Sequence, residues 1–94
     1  MSRMQKSTFT PLYAAFRKKL VAMRKAAGLT QRELAKRLKR EHSFVARIEQ
    51  GERRLDVVEF YWLCRACGAS PDKTMTEVMR EIMSQDNLIR KSKR

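Results

Sequence analysis

Two glycines bracket the stretch that most constrains this chain, "GLTQRELAKRLKREHSFVARIEQG", from Gly28 to Gly51. Gly28 suits the left-handed backbone that ends a preceding helix, and Leu29 is the apolar residue expected just after it. "T-Q-R-E" then forms a capping box. Thr30 accepts from the amide of Glu33, and the Glu33 carboxylate reaches back to the amide of Thr30. Leu34, Ala35 and Leu38 face inward, so a short helix runs from Thr30 to about Lys39. After a polar turn, another short helix is expected over about Glu41 to Gln50, closed by Gly51. Its apolar anchors are Val45 and Ile48, with Phe44 at the edge. A helix with so little apolar surface is either marginal or committed to a partner.

The flanking segments read as helices too. Thr10 and Pro11 open the first, along which Leu12, Phe16, Leu20 and Met23 make one apolar stripe. Asp56 caps a fourth, with Glu59 completing a second capping box. Val57, Phe60, Leu63, Cys64 and Cys67 mark its expected buried face, up to Gly68. A fifth helix starts either at Ser70-Pro71 or at Thr74, and carries Val78, Met79, Ile82 and Met83. Beyond it "SQDNLIRKSKR" loses periodicity. The expected organisation is a flexible arm over 1–10, one domain over 11–84 and a basic tail over 85–94. No strand signal is present, so the fold class is all-α: five helices with short links.

Charge narrows what such a globule meets. Lys and Arg number 22 against 10 acidic residues in 94, a net charge of +12. That excess attracts a polyanion over a Debye length or more, nucleic acid first and an anionic membrane second. A basic chain that is merely soluble is the bland alternative. No apolar run is long enough to span a membrane, and the N-terminus lacks the apolar stretch of a secretory signal. A cytoplasmic, nucleoid-associated protein is therefore expected. Cys64 and Cys67 form a C-x-x-C, but His42 is the only histidine and no βαβ context surrounds them. They read as core residues in a reducing compartment rather than a zinc or redox site. No catalytic constellation, cofactor motif or metal cluster is visible, so no enzyme and no cofactor is expected.

The stretch from Gly28 to Gly51 has the internal spacing of a helix-turn-helix. Ala35, small and mid-helix, allows the next helix to cross closely and to stand out as a ridge that a DNA major groove accepts. "MRKAAGLTQRELAKRLKREHSFVARIEQGERR" also resembles the Cro/CI-type (Xre) family pattern "LRKAAGLTQEELA…SRIENG". Matching residues are Thr30-Gln31, Glu33-Leu34-Ala35, Leu38, Arg47-Ile48-Glu49 and Gly51. The resemblance spans about Leu20 to Pro71. It implies a compact five-helix, lambda-repressor-like domain with the helix-turn-helix at helices 2 and 3, which binds double-stranded operator DNA as a homodimer.

Carried over by position, the resemblance places His42, Ser43, Phe44 and Arg47 at base edges. Arg47 suits a bidentate contact to guanine, and Phe44 a thymine methyl. Gln31, Arg40, Arg53 and Arg54 fall where phosphates are gripped. Lys18, Lys19, Lys36 and Arg37 read as solvated faces. Tyr61, Trp62, Val78, Met79, Ile82 and Met83 are candidates for the dimer surface, with closure of the monomer's own core as the alternative for the fifth-helix stripe. Two departures stand out. Lys39 occupies a turn position usually filled by Gly, and must accept a left-handed backbone at a cost. Glu41 occupies the usual N-cap of the third helix. The expected function is a transcriptional regulator, most simply a repressor on a palindrome. The alternatives are an antitoxin or phage-type control protein with a protein partner, and a non-specific nucleic-acid-binding or interaction module.

Overall fold

Thr10 opens the first helix, its hydroxyl accepting from the amide of Tyr13 at 3.2 Å, with Pro11 at the first helical position. The computed structural model describes residues 7–92 and contains five α-helices in the order expected. These are α1 (Pro11–Ala26), α2 (Gln31–Arg37), α3 (Ser43–Glu49), α4 (Val57–Ala66) and α5 (Pro71–Ser92). Both capping boxes form: Thr30 with Glu33 opens α2, and Asp56 with Glu59 opens α4. Of the two starts available to α5, the chain uses Ser70-Pro71.

The core collects one stripe from each helix. Leu20 of α1, Leu34 and Ala35 of α2, Phe44, Val45 and Ile48 of α3, Phe60, Leu63 and Cys64 of α4, and Val78 of α5 are buried together. Leu29 and Leu55 seal it from the connections. Cys64 is completely buried and both cysteines are free thiols, so the pair packs as small hydrophobes. Burial pushes both thiols above their ordinary pKa, which makes them poor nucleophiles.

Long-range polar ties orient α1 against the helix pair. Tyr13 Oη accepts from the amide of Leu55 at 3.0 Å. Arg17 donates to the carbonyl of Glu49 at 3.1 Å. Gly51, at φ 82°, lets the chain pass beside that guanidinium, since a Cβ there would lie 3.2 Å from Arg17 Nε.

Four expectations need correction. Val57 is 69% exposed, because it is the first residue of α4 and projects past the end of the core, where Leu55 is buried instead. Val78, a candidate interface residue, is 1% exposed and belongs to the core. Met79, one residue and about 100° further round the helix, faces out at 46%. The segment after Ser84 is not a loose tail: α5 continues to Ser92. No Gly or Pro interrupts it, so the helix propagates without a buried face, helped by an Arg90–Asp86 ion pair at 2.8 Å. At the other end, Ser7–Phe9 forms a 3-10 turn with Thr8 buried, so the expected arm is packed from there onward. Residues 1–6 of that arm and 93–94 of the tail lie outside the described residues. No helix of the described residues is long and apolar enough to cross a membrane.

Candidate nucleic-acid interface

The turn between α2 and α3 decides how the third helix is presented. Leu38 caps α2, Lys39 takes φ 56°, and the amide of Arg40 donates back to the carbonyl of Ala35 at 2.9 Å. This is the six-to-one closure of a Schellman turn, with lysine in the glycine position. Lys39 is the one non-glycine among the described residues with positive φ. Helix α3 then begins later than expected. Glu41 does not cap it; its carbonyl accepts from the amide of Phe44, while His42 occupies the cap position in helical geometry without a side-chain bond. The Glu41 carboxylate instead lies 3.8 Å from Arg40.

Because Phe44, Val45 and Ile48 all turn inward, the outer face of α3 is defined by what remains. Ser43, Ala46, Arg47 and Gln50 fall at i, i+3, i+4 and i+7 and share that face, with exposed His42 beside its start. The Arg47 carbonyl accepts from the amides of Glu52 and Arg53 at 2.9 and 3.3 Å, while its exposed side chain has no hydrogen bond or ion pair among the described residues. Gln50 on this face was not singled out from the sequence, although the seven-residue step from Ser43 points to it. A groove beside this ridge is lined by Arg32, Lys36, Arg40 and His42. Arg32 too was not foreseen, and Lys36, expected on a solvated face, is exposed and lines this groove.

Phe44 is corrected from an edge residue to a core residue. It is 2% exposed, and the Arg40 and Arg53 guanidiniums lie 4.0 and 4.8 Å from its ring centroid. No thymine methyl can reach a ring so covered. Arg40 arrives from the turn and Arg53 from the following loop, and each gains a cation–π contact by closing over the ring.

Two partly buried carboxylates organise the basic residues. Glu49 receives Arg24 through two hydrogen bonds of 2.7 and 3.0 Å, and Gln31 Nε2 donates to its Oε1 at 2.8 Å. The bond to Glu49 raises the pKa of Arg24. Gln31 is thereby pinned at the start of α2 with one amide hydrogen still open. Arg24 and Glu49 were not assigned site roles from the sequence, since they serve the site from beneath. Glu59 plays the same part on the other side. It binds Arg53 through two hydrogen bonds of 3.0 and 2.8 Å while also accepting from the amide of Asp56. The Arg53 bond holds Glu59 below its ordinary pKa, and Arg53 above its own. With both carboxylates engaged, Arg32, Lys36, Lys39, Arg47 and Arg54 face outward with no ion pair among the described residues. The surface around α3 therefore presents more exposed cations than the carboxylates of Glu33, Glu41 and Glu52 offset, a sign of charge that attracts phosphates.

The expected dimer residues do not form one patch. Trp62 lines a cleft between α2 and α4 with Arg40 and Arg65, whereas Met79 and Ile82 line another between α1, α4 and α5. Tyr61, Trp62, Met79 and Met83 are exposed, and Ile82 is half-buried against the core.

Comparison with known proteins agrees with this geometry. Residues 15–75 match the family described as "Helix-turn-helix domain". The structure is similar to that of an XRE-family like protein from Pseudomonas syringae pv. tomato str. DC3000. The TM-score is 0.70 and the identity 45%, covering 73% of this chain and 84% of the other. It is also similar to the clp gene regulator ClgR from Corynebacterium glutamicum, with a TM-score of 0.68, 25% identity, and coverage of 86% and 89%. No curated protein sequence matches the chain. Since the family match spans most of the chain and the first of these structures shares nearly half of the aligned residues, the chain belongs to the XRE family of helix-turn-helix DNA-binding regulators.

Proposed function

We propose that this regulator represses transcription by binding a palindromic operator as a homodimer, with α3 of each copy in successive major grooves. Arg47 reads a guanine, and His42 and Ser43 contact neighbouring base edges. Arg54 and Arg40 grip phosphates, as does Gln31 through its free amide hydrogen. Arg53 adds to them through the N–H groups that Glu59 leaves open. The two copies meet through Met79 and Met83 of α5. The site of action is the cytoplasm, on the nucleoid.

The observation that carries this reading is the outer face of α3. It holds an exposed arginine whose side chain has no partner among the described residues, at the family's base-reading position, on a helix whose other face is core. Selection of bound duplexes from a random pool tests it. The natural protein should yield an inverted repeat with half-sites about one helical turn, ~34 Å, apart. Arg47→Ala should lose preference at one position per half-site, worth about 1–3 kcal/mol. The same motif from both proteins would overturn the assignment of Arg47, and no motif from either would favour a non-specific binder.

A further inference from the structure

A further cleft lies away from the outer face of α3. It runs between the α2–α3 turn and α4, with a volume of 560 Å³, within the roughly 300–1,000 Å³ range of small-molecule sites. Its floor and walls are apolar: Leu38, Leu63 and Ala66, with the half-exposed indole of Trp62 along one side and Phe44 beneath the Arg40 guanidinium. Its rim is cationic, with Arg37, Lys39, Arg40 and Arg65 against the single carboxylate of Glu59, which is already bound to Arg53.

Of the rim cations, Arg37 donates to the carbonyl of Ala66 at 2.9 Å, and the donors of the others are largely unused. Arg40 is stacked on Phe44 at 4.0 Å. Its nearest carboxylate oxygens, on Glu41 and Glu59, are both 3.8 Å away, beyond hydrogen-bond range. Arg65 lies only at 6.0 Å from the Tyr61 ring, and Lys39 is exposed without an ion pair among the described residues. An inorganic anion would satisfy these donors and leave the floor wet. A neutral aromatic molecule would cover the floor and leave the donors unmet. A small aromatic acid satisfies both: a planar ring lies against Trp62 and the leucines, and a carboxylate meets a pre-stacked guanidinium.

We propose that the cleft between the α2–α3 turn and α4 is a binding site for a small aromatic carboxylate, with Arg40 and Lys39 as its anion-binding pair and Trp62 as its aromatic wall. The cleft shares Arg40 with the phosphate contacts proposed above, but its test uses no DNA, so it stands or fails apart from the operator reading.

Trp62 is the only tryptophan in the chain, so its fluorescence and indole N–H resonance report the site directly. The test titrates the full chain with 2-naphthoate, with acetate and 2-naphthylmethanol as probes carrying only the charge or only the ring. Saturable shifts of the Trp62 indole and of the Lys39 and Arg40 amides are expected with 2-naphthoate, and binding at least about tenfold weaker with either control. Arg40→Gln should weaken 2-naphthoate by about tenfold or more. Arg65→Gln, on the exposed rim, should weaken it by a smaller factor and guards against misfolding of the first variant. Absence of saturation, equal affinity for 2-naphthylmethanol, or indifference to both substitutions would overturn the proposal. Tighter displacement of 2-naphthoate by a hexaglutamate peptide would overturn it in favour of an acidic protein partner.

Discussion

Lys39 is the residue at which this chain is most visibly strained. A β-carbon at φ 56° crowds the following carbonyl at a cost of about 1–2 kcal/mol. The strain persists because the Schellman closure on either side of it fixes the chain direction into α3. Lys39→Gly should therefore stabilise the protein by about 0.5–1 kcal/mol, raising the thermal midpoint by a few degrees in a circular-dichroism melt. A lower midpoint would mean that the lysine makes a compensating interaction. This strain was legible in advance, because the family pattern places a glycine there. The burial of Phe44 was not, because its fate depends on two arginines that reach it from different segments. An aromatic residue at a helix edge has no intrinsic side; Arg40 and Arg53 supply one.

At the level of elements, the helix pair is fastened from both flanks by arginine–carboxylate pairs. Arg24–Glu49 ties α1 to the end of α3, and Arg53–Glu59 ties the following loop to α4. Glu59 is also half of a capping box, so one side chain closes a helix and positions a loop. Its folded-state pKa is depressed below the ordinary value of 4.5, chiefly by the Arg53 hydrogen bond. A depressed carboxylate contributes stability that is fully present above its unfolded pKa and lost as pH falls through the folded one. Glu59→Gln should accordingly melt a few degrees lower at pH 7, and the gap from the natural protein should close as pH drops below about 4.5. Melts across pH 3–7 measure this, and a gap that stays constant would show that the pair is not the source. The capping box itself was readable from "D-V-V-E"; the salt bridge was not, since Arg53 and Glu59 lie on opposite sides of a turn whose path only the fold determines.

For the whole molecule, the net charge of +12 sets long-range attraction to DNA, and the proposed pairing of two copies rests on exposed apolar residues. Met79 and Met83 are 46% and 63% exposed on one face of α5, and Met79 lines a cleft with exposed Val57. A two-fold contact through this face would bury all three. The double substitution Met79→Glu, Met83→Glu should leave a folded monomer by light scattering and weaken operator binding by about tenfold or more, while binding to random duplex changes little. A natural protein that is monomeric at the same concentration would sink this interface. Charge acts in a separable way. Arg54→Gln should weaken all sequences alike and reduce the slope of log affinity against log salt by about 1.

What the sequence determined by itself was what a few neighbouring residues encode: the caps at Thr10, Thr30 and Asp56, the helix-ending glycines, the inward periodicity of the first two helices and the left-handed turn at Lys39. Those features are local, so neighbouring residues carry them. The tertiary structure decided which of the basic residues remain available. Arg24 and Arg53 are engaged by Glu49 and Glu59, Arg40 is stacked on Phe44, and Arg47 is left facing outward. It also decided that Val78 is core while Met79 is surface. These outcomes depend on how helices distant in sequence pack together, and a guanidinium looks the same in one dimension whether a carboxylate or solvent awaits it in three.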